Sequence, residues 1–349
     1  MSLHECVAPQ GRRTFHMVNP MDLAVVVLAA GKGTRMRSDL PKVLHLLGGR
    51  PLVFYSVDLA RQLSPEPPVL VVGHGAEAVR EALGERCRFV EQTEQLGTAD
   101  AVAQAERALD EAADTVLVYA ADMPLLTVES MRRLVMAHGE HDGPVTLLTV
   151  VAVDPRGFGR IVRDPAGDVL AIVEEAEATP EQRALHELNA GVYCFEAVWL
   201  WQALKRIQPS AAKGEYYLTD TVGLAVADDH RVVAVTTEDE EEVMGINTRV
   251  HLAEAEAILR RRINHRLMHE GVTMVDPDHT YVHPGVAVGR DSLLWPGVCL
   301  LGETVIGEMC EIGPYAVLSN VRLGAGSRIG AGVVLADQVI AAGAVILPG

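Results

Sequence analysis

The sequence predicts an α/β protein built in two different ways: a mostly parallel sheet with helices on both faces, then a solenoid of short rungs. Three observations predict it. From Leu23 to about Val250 short apolar runs alternate with longer amphipathic stretches. An Ala-, Leu-, Glu- and Arg-rich stretch follows at 251–270. Beyond Gly271 aliphatic residues recur every six positions. At 349 residues the chain is long enough for two domains of ordinary size.

The runs AVVVLAA (24–30), PVLVVG (68–73), TVLVYAAD (115–122) and VTLLTVVAV (145–153) lack the apolar–polar alternation of a half-exposed strand. Burial on both faces removes that alternation, so they read as interior strands. Between them, 51–63, 76–83 and 98–112 carry helical spacing. Strand–helix–strand alternation predicts a mostly parallel sheet covered on both faces. In such sheets ligands bind beyond the carboxyl ends of the strands. The glycine-bearing, basic stretch LAAGKGTRMRSDLPKVLH (28–45) begins at the end of the first strand, where a site belongs.

Residues 251–270 read as a helix joining the two halves. The repeat that follows places Val282, Val288, Leu294, Leu300, Ile306, Ile312 and Leu318 six apart, slips by one residue, and resumes at Leu323, Ile329 and Leu335. Glycine follows directly at Gly289, Gly307, Gly313, Gly324 and Gly330. A six-residue aliphatic repeat with small residues at the turns is the mark of a parallel β-helix. Each rung buries its apolar residue only against the next, so rungs must stack. The last rung, AVILPG (344–349), carries no polar cap, which is expected of a truncated solenoid or one covered by a neighbouring subunit. The domain plan is thus an extension over 1–20, expected to be disordered; an α/β domain over 21–250; a linker helix over 251–271; and a solenoid over 272–349. Met21 is an alternative start.

Composition narrows the function. Nearly half the residues are apolar and aromatics are few, as in an Ala/Val/Leu-rich α/β protein. A formal charge of −17 repels nucleic acid, so no nucleic-acid partner is expected. The five cysteines (Cys6, Cys87, Cys194, Cys299, Cys310) are scattered and form no zinc pattern or disulfide framework. Free thiols fit a reducing, cytoplasmic setting. No apolar run is long enough to span a membrane, and the first 20 residues lack the apolar core of a secretory signal.

An anionic substrate would need a local basic site, and residues 28–45 offer one. GKGTRM (31–36) has neither the spacing of a P-loop nor the third glycine of the dinucleotide fingerprint. Gly31 and Gly33 still let backbone N–H groups approach phosphate oxygens, and Arg35 and Lys42 add charge where a triphosphate would lie. A tight turn after a strand also needs glycine for steric reasons alone, so the loop by itself leaves both readings open.

The longer string resembles a known family. AAGKGTRM followed by PKVLH is similar to the sugar nucleotidyltransferases, and within them to the N-acetylglucosamine-1-phosphate uridyltransferases, the N-terminal half of a bifunctional bacterial enzyme. Further matches follow in order: EQ–EQLGTADA (91–101), Ala121-Asp122-Met123-Pro124, GFGRIV (157–162), IVEE (172–175), LNAG (188–191), GEYYLTD (214–220) and GINTR (245–249). The resemblance runs over roughly residues 22–345. It implies a Rossmann-like nucleotidyltransferase domain followed by a short left-handed parallel β-helix.

The implied reaction joins UTP and N-acetylglucosamine 1-phosphate into UDP-N-acetylglucosamine, a cell-wall precursor, with release of pyrophosphate. Arg35 and Lys42 are the implied catalytic cations. Leu28, Ala29, Gly31, Gly33, Gln92, Gly97 and Thr98 match nucleotide-binding positions, an amide such as Gln92 being able to pair with an imide edge as donor and acceptor. Gly159, Glu174 and Asn189 match sugar-binding positions. Asp122 and Asn247 match the ligands of Mg2+, the implied cofactor. Outside the motif, Asp122 also suits a helix N-cap, Glu174 a solvated charge run, Asn247 a turn, and Tyr216 and Tyr217, near Thr219, the core.

Three departures weaken the assignment of the sugar: Ala121 where the family usually has Gly, Ala176 where Lys is frequent, and Ala190 where Thr is usual. Another sugar 1-phosphate, or dTTP, is therefore a second reading, and a non-catalytic subunit of the same fold a third. The chain ends before the positions that the family's acetyl-CoA site uses, so acetyltransferase activity is not expected. His283, on the solenoid edge, reads as structural. The resemblance implies a homotrimer assembled through the β-helix.

Overall fold

A computed structural model of the protein describes residues 22–109, 113–211 and 214–348. The expectations for residues 1–20, Met21 and residue 349 lie outside these. The elements begin with β1 (Leu23–Ala29), the hairpin strands β2 (Leu46–Leu47) and β3 (Arg50–Pro51), and α1 (Leu52–Leu63). Next come β4 (Val69–Val72), α2 (Ala76–Leu83), β5 (Arg88–Glu91), α3 (Thr98–Ala105), β6 (Thr115–Ala120), α4 (Val128–Gly139) and β7 (Val145–Val151). Then follow β8 (Arg160–Arg163), β9 (Val169–Val173), α5 (Pro180–Arg183), β10 (Glu187–Glu196), α6 (Ala197–Leu204), α7 (Asp220–Ala227), β11 (Val232–Thr237) and α8 (Arg249–His269). The chain divides into two compact units, one of Tyr55–Val243 with the residues up to Lys32, the other of Gly33–Phe54 with Met244–Gly349. Segment 33–54 thus groups with the C-terminal part, although sequence order sets it in the first half.

The first unit holds a sheet in the order β11-β7-β10-β6-β1-β4-β5, with β8 and β9 added beside β10. The pairs β1–β6, β1–β4, β4–β5 and β7–β11 are parallel, as expected of strands buried on both faces. The ten-residue β10 runs antiparallel to both β6 and β7, and β8 and β9 form an antiparallel hairpin against it. The core gathers Val26, Val69, Val71, Val116, Val118, Leu147 and Phe195 from the strands with Val102, Leu200 and Val222 from the helices. The helix expected over 98–112 is shorter than its spacing implies: α3 ends at Ala105 and the chain tightens into a 3-10 turn over Glu106–Ala108.

In the second unit α8 begins two residues before the expected 251. Thr248 is its N-cap, its hydroxyl accepting from His251 N at 3.1 Å. The solenoid follows as thirteen strands of two or three residues among the described residues, stacked in three parallel sheets. Val282 pairs with Leu300 and Leu300 with Leu318, eighteen residues apart, so one turn takes three six-residue rungs. Past the slip, Leu318 pairs with Leu335, seventeen residues on, and the coil absorbs the missing residue without losing register. Nine of the ten repeat positions read from the sequence, all but Leu335, are buried. Corner hydroxyls satisfy buried backbone: Ser292 Oγ donates to Gly307 O and Thr304 Oγ1 to Leu301 O. His283 is held inside the unit, its Nδ1 accepting from Gly302 N at 3.0 Å and its ring packed where a side chain on Gly49 would otherwise lie.

Among the described residues no helix is long and apolar enough to cross a membrane. The described cysteines are all free; burial pushes the Cys87 thiol up to about 12 and raises Cys194 and Cys299 as well.

Candidate active site

In the first unit the candidate residues collect at one edge of the sheet. Leu28 and Ala29 end β1, and Asp122 and Gln92 lie just beyond the carboxyl ends of β6 and β5, strands parallel to it. Ala121 N donates to Leu28 O at 2.8 Å and Ser56 Oγ donates to Ala121 O at 3.1 Å, fixing the turn that presents Asp122. Ala121 itself is fully buried, so its methyl group lies in the interior. Asp122 is not the helix cap that its position also suited: α4 is capped by Thr127, whose hydroxyl accepts from Ser130 N at 3.2 Å. Gly31 is exposed, and a Cβ there would meet no atom within 4 Å.

The base-reading candidates are tied together before any ligand arrives. Buried Gln92 donates both amide hydrogens internally, to Gly97 O at 3.0 Å and to Asp100 Oδ2 at 2.6 Å. Its Oε1 is therefore the atom suited to a base, as an acceptor, rather than the two-way pairing open in the sequence. Gly97 has φ +122°, and a Cβ there would lie 2.6 Å from Tyr216 N, so only glycine fits. Thr98 Oγ1 accepts from Leu218 N, and Ala99 N donates to Tyr216 O. Segment 214–220 is thereby docked on the start of α3, with Tyr216 and Tyr217 half-buried.

The three sugar candidates come from three separate motifs, yet the sheet brings them side by side. Asn189 N donates to Gly159 O at 2.9 Å, and a Cβ on Gly159 would lie 2.8 Å from Ile172 Cγ2. The LNAG motif is a bulge in β10, where register with β7 shifts between Asn189 and Tyr193. Asn189 Nδ2 donates to the buried Tyr193 hydroxyl at 2.6 Å and its Oδ1 accepts from Gly191 N. Ala190 beside it is buried, whereas Ala176 is exposed. Glu174 is no solvated charge: it is half-buried and its Oε1 accepts from the buried Thr219 hydroxyl at 2.9 Å. Burial, with Glu177 and Glu174 adding like charge, holds the Asp220 carboxyl above its usual range. Sequence reasoning passed over Arg160 and Glu175, which form an ion pair next to these residues. The signal available was a charge in the first position of the strand after the matched Gly159.

In the second unit the basic loop is folded on glycine and two 3-10 turns, over Thr34–Met36 and Lys42–Leu44. Gly33 has φ +60°, and a Cβ would come 2.7 Å from Lys42 Cβ, so glycine lets the two ends of the motif touch. Met36 is buried beneath the loop and its carbonyl accepts from Arg249 Nε. Arg35 is exposed and makes no hydrogen bond or ion pair with the described residues. Lys42 Nζ donates to Asn247 Oδ1 at 3.0 Å, which brings a catalytic and a metal-ligand candidate together. Asn247 is therefore more than a turn residue. Burial, then Arg249, lowers the pKa of His45. Among the described residues no three His, Cys, Asp or Glu side chains converge as a metal cluster.

A parallel sheet with oxygen donors and a glycine turn at its carboxyl edge, joined in one chain to a hexapeptide coil, defines a nucleotidyltransferase. Residues 25–192 match the family model for the MobA-like NTP transferase domain, and 303–337 that for the bacterial transferase hexapeptide (six repeats). The chain belongs to the GlmU family. It is 45% identical to the bifunctional protein GlmU of Heliobacterium modesticaldum over 90% of this chain and 68% of that one. Against the bifunctional protein GlmU of Geobacter metallireducens it is 49% identical over 86% of this chain and 64% of the relative. The chain thus spans about two thirds of the length of these relatives. In fold it is similar to a Bacillus anthracis protein described as a glucose-1-phosphate thymidylyltransferase, with TM-score 0.54 and 19% identity over 68% of this chain and 94% of that one.

Proposed function

We propose that this nucleotidyltransferase joins UTP to N-acetylglucosamine 1-phosphate, giving UDP-N-acetylglucosamine and pyrophosphate. The observation that carries the sugar side is the junction of Asn189, Gly159 and Glu174, drawn from three distant motifs to neighbouring strands. A phosphate oxygen of the sugar attacks the α-phosphorus in line, the α–β phosphoanhydride bond breaks, and pyrophosphate leaves with its electron pair. The attacking phosphate is already ionised, so no side chain has to move a proton. Catalysis is positioning and charge neutralisation.

Arg35, exposed and uncommitted, is suited to gripping two phosphate oxygens with its planar fork, and Lys42 to supplying a point charge. Gln92 Oε1 suits the imide N–H of a uracil, and Gly97 and Thr98 shape the wall beside it; Leu28, Ala29, Gly31 and Gly33 supply backbone to the nucleotide. The donor chemistry fits a hard cation, Asp122 offering carboxylate oxygens and Asn247 an amide oxygen, and these are the proposed Mg2+ ligands. Mg2+, when bound, neutralises phosphate charge. We also infer a homo-oligomer, a trimer through the solenoid, whose last turns expose Val334, Val339, Val345 and Leu347.

The test is pyrophosphate release in the presence of Mg2+ over a panel of sugar 1-phosphates and nucleoside triphosphates. The pair UTP and N-acetylglucosamine 1-phosphate is expected to turn over fastest. A faster pair with dTTP or another sugar would replace the substrate assignment. No release with any pair would make the chain a non-catalytic member of its family.

A further inference from the structure

We infer that Arg160 is the positioning residue of the sugar-phosphate site, acting through Phe158 and Glu175; the inference rests on the sugar reading of Gly159, Glu174 and Asn189. Arg160 is 1% exposed, a full positive charge inside the first unit. Burying a charge is costly unless it is paired and hydrogen-bonded, and a pair of apolar residues in its place is often as stable or more so. Such a group is therefore better explained by what it orients than by what it stabilises. Its Nε is buried with no hydrogen-bond partner, which adds cost without adding hold.

What it orients follows from the ladder. Arg160 pairs with Val173 of β9 on one side and Leu188 of β10 on the other. Both neighbours run antiparallel to β8, so the next row across β9, β8 and β10 sets Glu174, Gly159 and Asn189 side by side, and beyond them Asn189 pairs with Thr149 of β7. The three sugar candidates thus stand in one row on neighbouring strands. The Arg160 guanidinium holds two of the three strands of that row, beside Gly159 and beside Glu174. Its Nη1 donates to Phe158 O, the residue before Gly159, and to Glu175 Oε2 at 2.5 Å, the residue after Glu174. One rigid planar group thus sets the backbone that precedes Gly159 and the side-chain direction of the residue that follows Glu174. On the far side the Thr219 hydroxyl holds Glu174 itself. The nucleotide candidates Gln92 and Thr98 have their own bonds, to Gly97, Asp100 and Leu218, and none of these is to Arg160, Phe158 or Glu175.

Steady-state kinetics of pyrophosphate release on the full chain separates the roles. With Arg160→Met and Glu175→Gln, the KM for the sugar 1-phosphate is expected to rise roughly tenfold while the KM for the triphosphate stays within about twofold, since a small misplacement of reacting groups is costly. Arg160→Lys, which keeps the charge but not the fork, is expected to fall between wild type and Arg160→Met. Glu175→Gln changes no volume and decides the matter if Arg160→Met fails to fold. An unshifted melting temperature with both KM values unchanged in Glu175→Gln overturns the positioning role. So does an equal rise in both KM values. A wild-type chain that releases no pyrophosphate with any sugar phosphate overturns the functional reading and this inference together, whereas active wild type with indifferent variants overturns this inference alone.

Discussion

The residues assigned to base and sugar differ from those assigned to the phosphates in how far the fold has already committed them. Gln92, Thr98, Glu174 and Asn189 each hold a hydrogen bond to another part of the first unit. Arg35, on its loop in the second unit, holds none among the described residues, while Lys42 is bonded to Asn247 within the same unit. A committed side chain is pre-organised: its direction is fixed at the expense of its freedom to adjust. A loop cation keeps that freedom and its full positive charge for a highly charged ligand. The difference teaches that recognition and charge neutralisation can be separated by substitution.

Arg35→Ala would break the comparison most sharply. On the order of a hundred- to a thousandfold loss of kcat is expected, as for removal of one oxyanion donor, with an unchanged melting temperature. Full activity in that variant would remove Arg35 from the mechanism. The next effect in size concerns the most committed polar groups of all. His141 Nδ1 accepts from Gly143 N, so its Nε2–H donates to Thr146 Oγ1, and the threonine hydroxyl donates to His138 Nδ1. This chain requires both rings to be neutral. Burial, then His141, pushes His138 down to about 4, and burial, then Arg231, lowers His141, with Asp142 opposing.

A histidine whose pKa is lower folded than unfolded stabilises fully above the unfolded value of 6.5, and that stability is lost as pH falls toward 4. For His138 the loss between pH 7.5 and 5 amounts to about 2 kcal/mol, read as a denaturant midpoint that drops across that range. His138→Gln is expected to flatten that slope; an unchanged slope would assign it elsewhere. The smallest effect is Asn189→Ala. It strands the buried Tyr193 hydroxyl and is expected to cost about 1–3 kcal/mol as well as raising the sugar KM, unlike Arg35→Ala. A stable Asn189→Ala protein with altered sugar KM would show that residue to be as uncommitted as the arginine.

Much of this was legible in the chain. The runs at 24–30, 68–73 and 115–122 announced interior strands because continuous apolar stretches have only one place to go. The ten-residue β10 was not foreseen as antiparallel, since direction depends on which neighbours a strand finds. The end of α3 and the start of α8 were misjudged by a few residues for local reasons, a 3-10 turn and a threonine cap. Among site residues, the motif positions were readable, but their partners were not. Nothing in the spacing of Gly97 and Tyr216 shows that their backbones meet, and nothing in the sequence around Arg160 shows that its charge is buried.

The sequence by itself determined the two building principles, because apolar runs and a six-residue repeat are local patterns whose burial admits few solutions. It also determined the chemistry on offer, two cations beside flexible glycines and a carboxylate ending an apolar run. Only the tertiary structure decided which residues share a row of the sheet, that Gln92 spends both amide hydrogens within the fold, and that a buried arginine stands behind the sugar candidates. Those facts arise from contacts between residues far apart in the chain, and the physical cost of an unpaired buried group is set by such contacts rather than by neighbours in sequence.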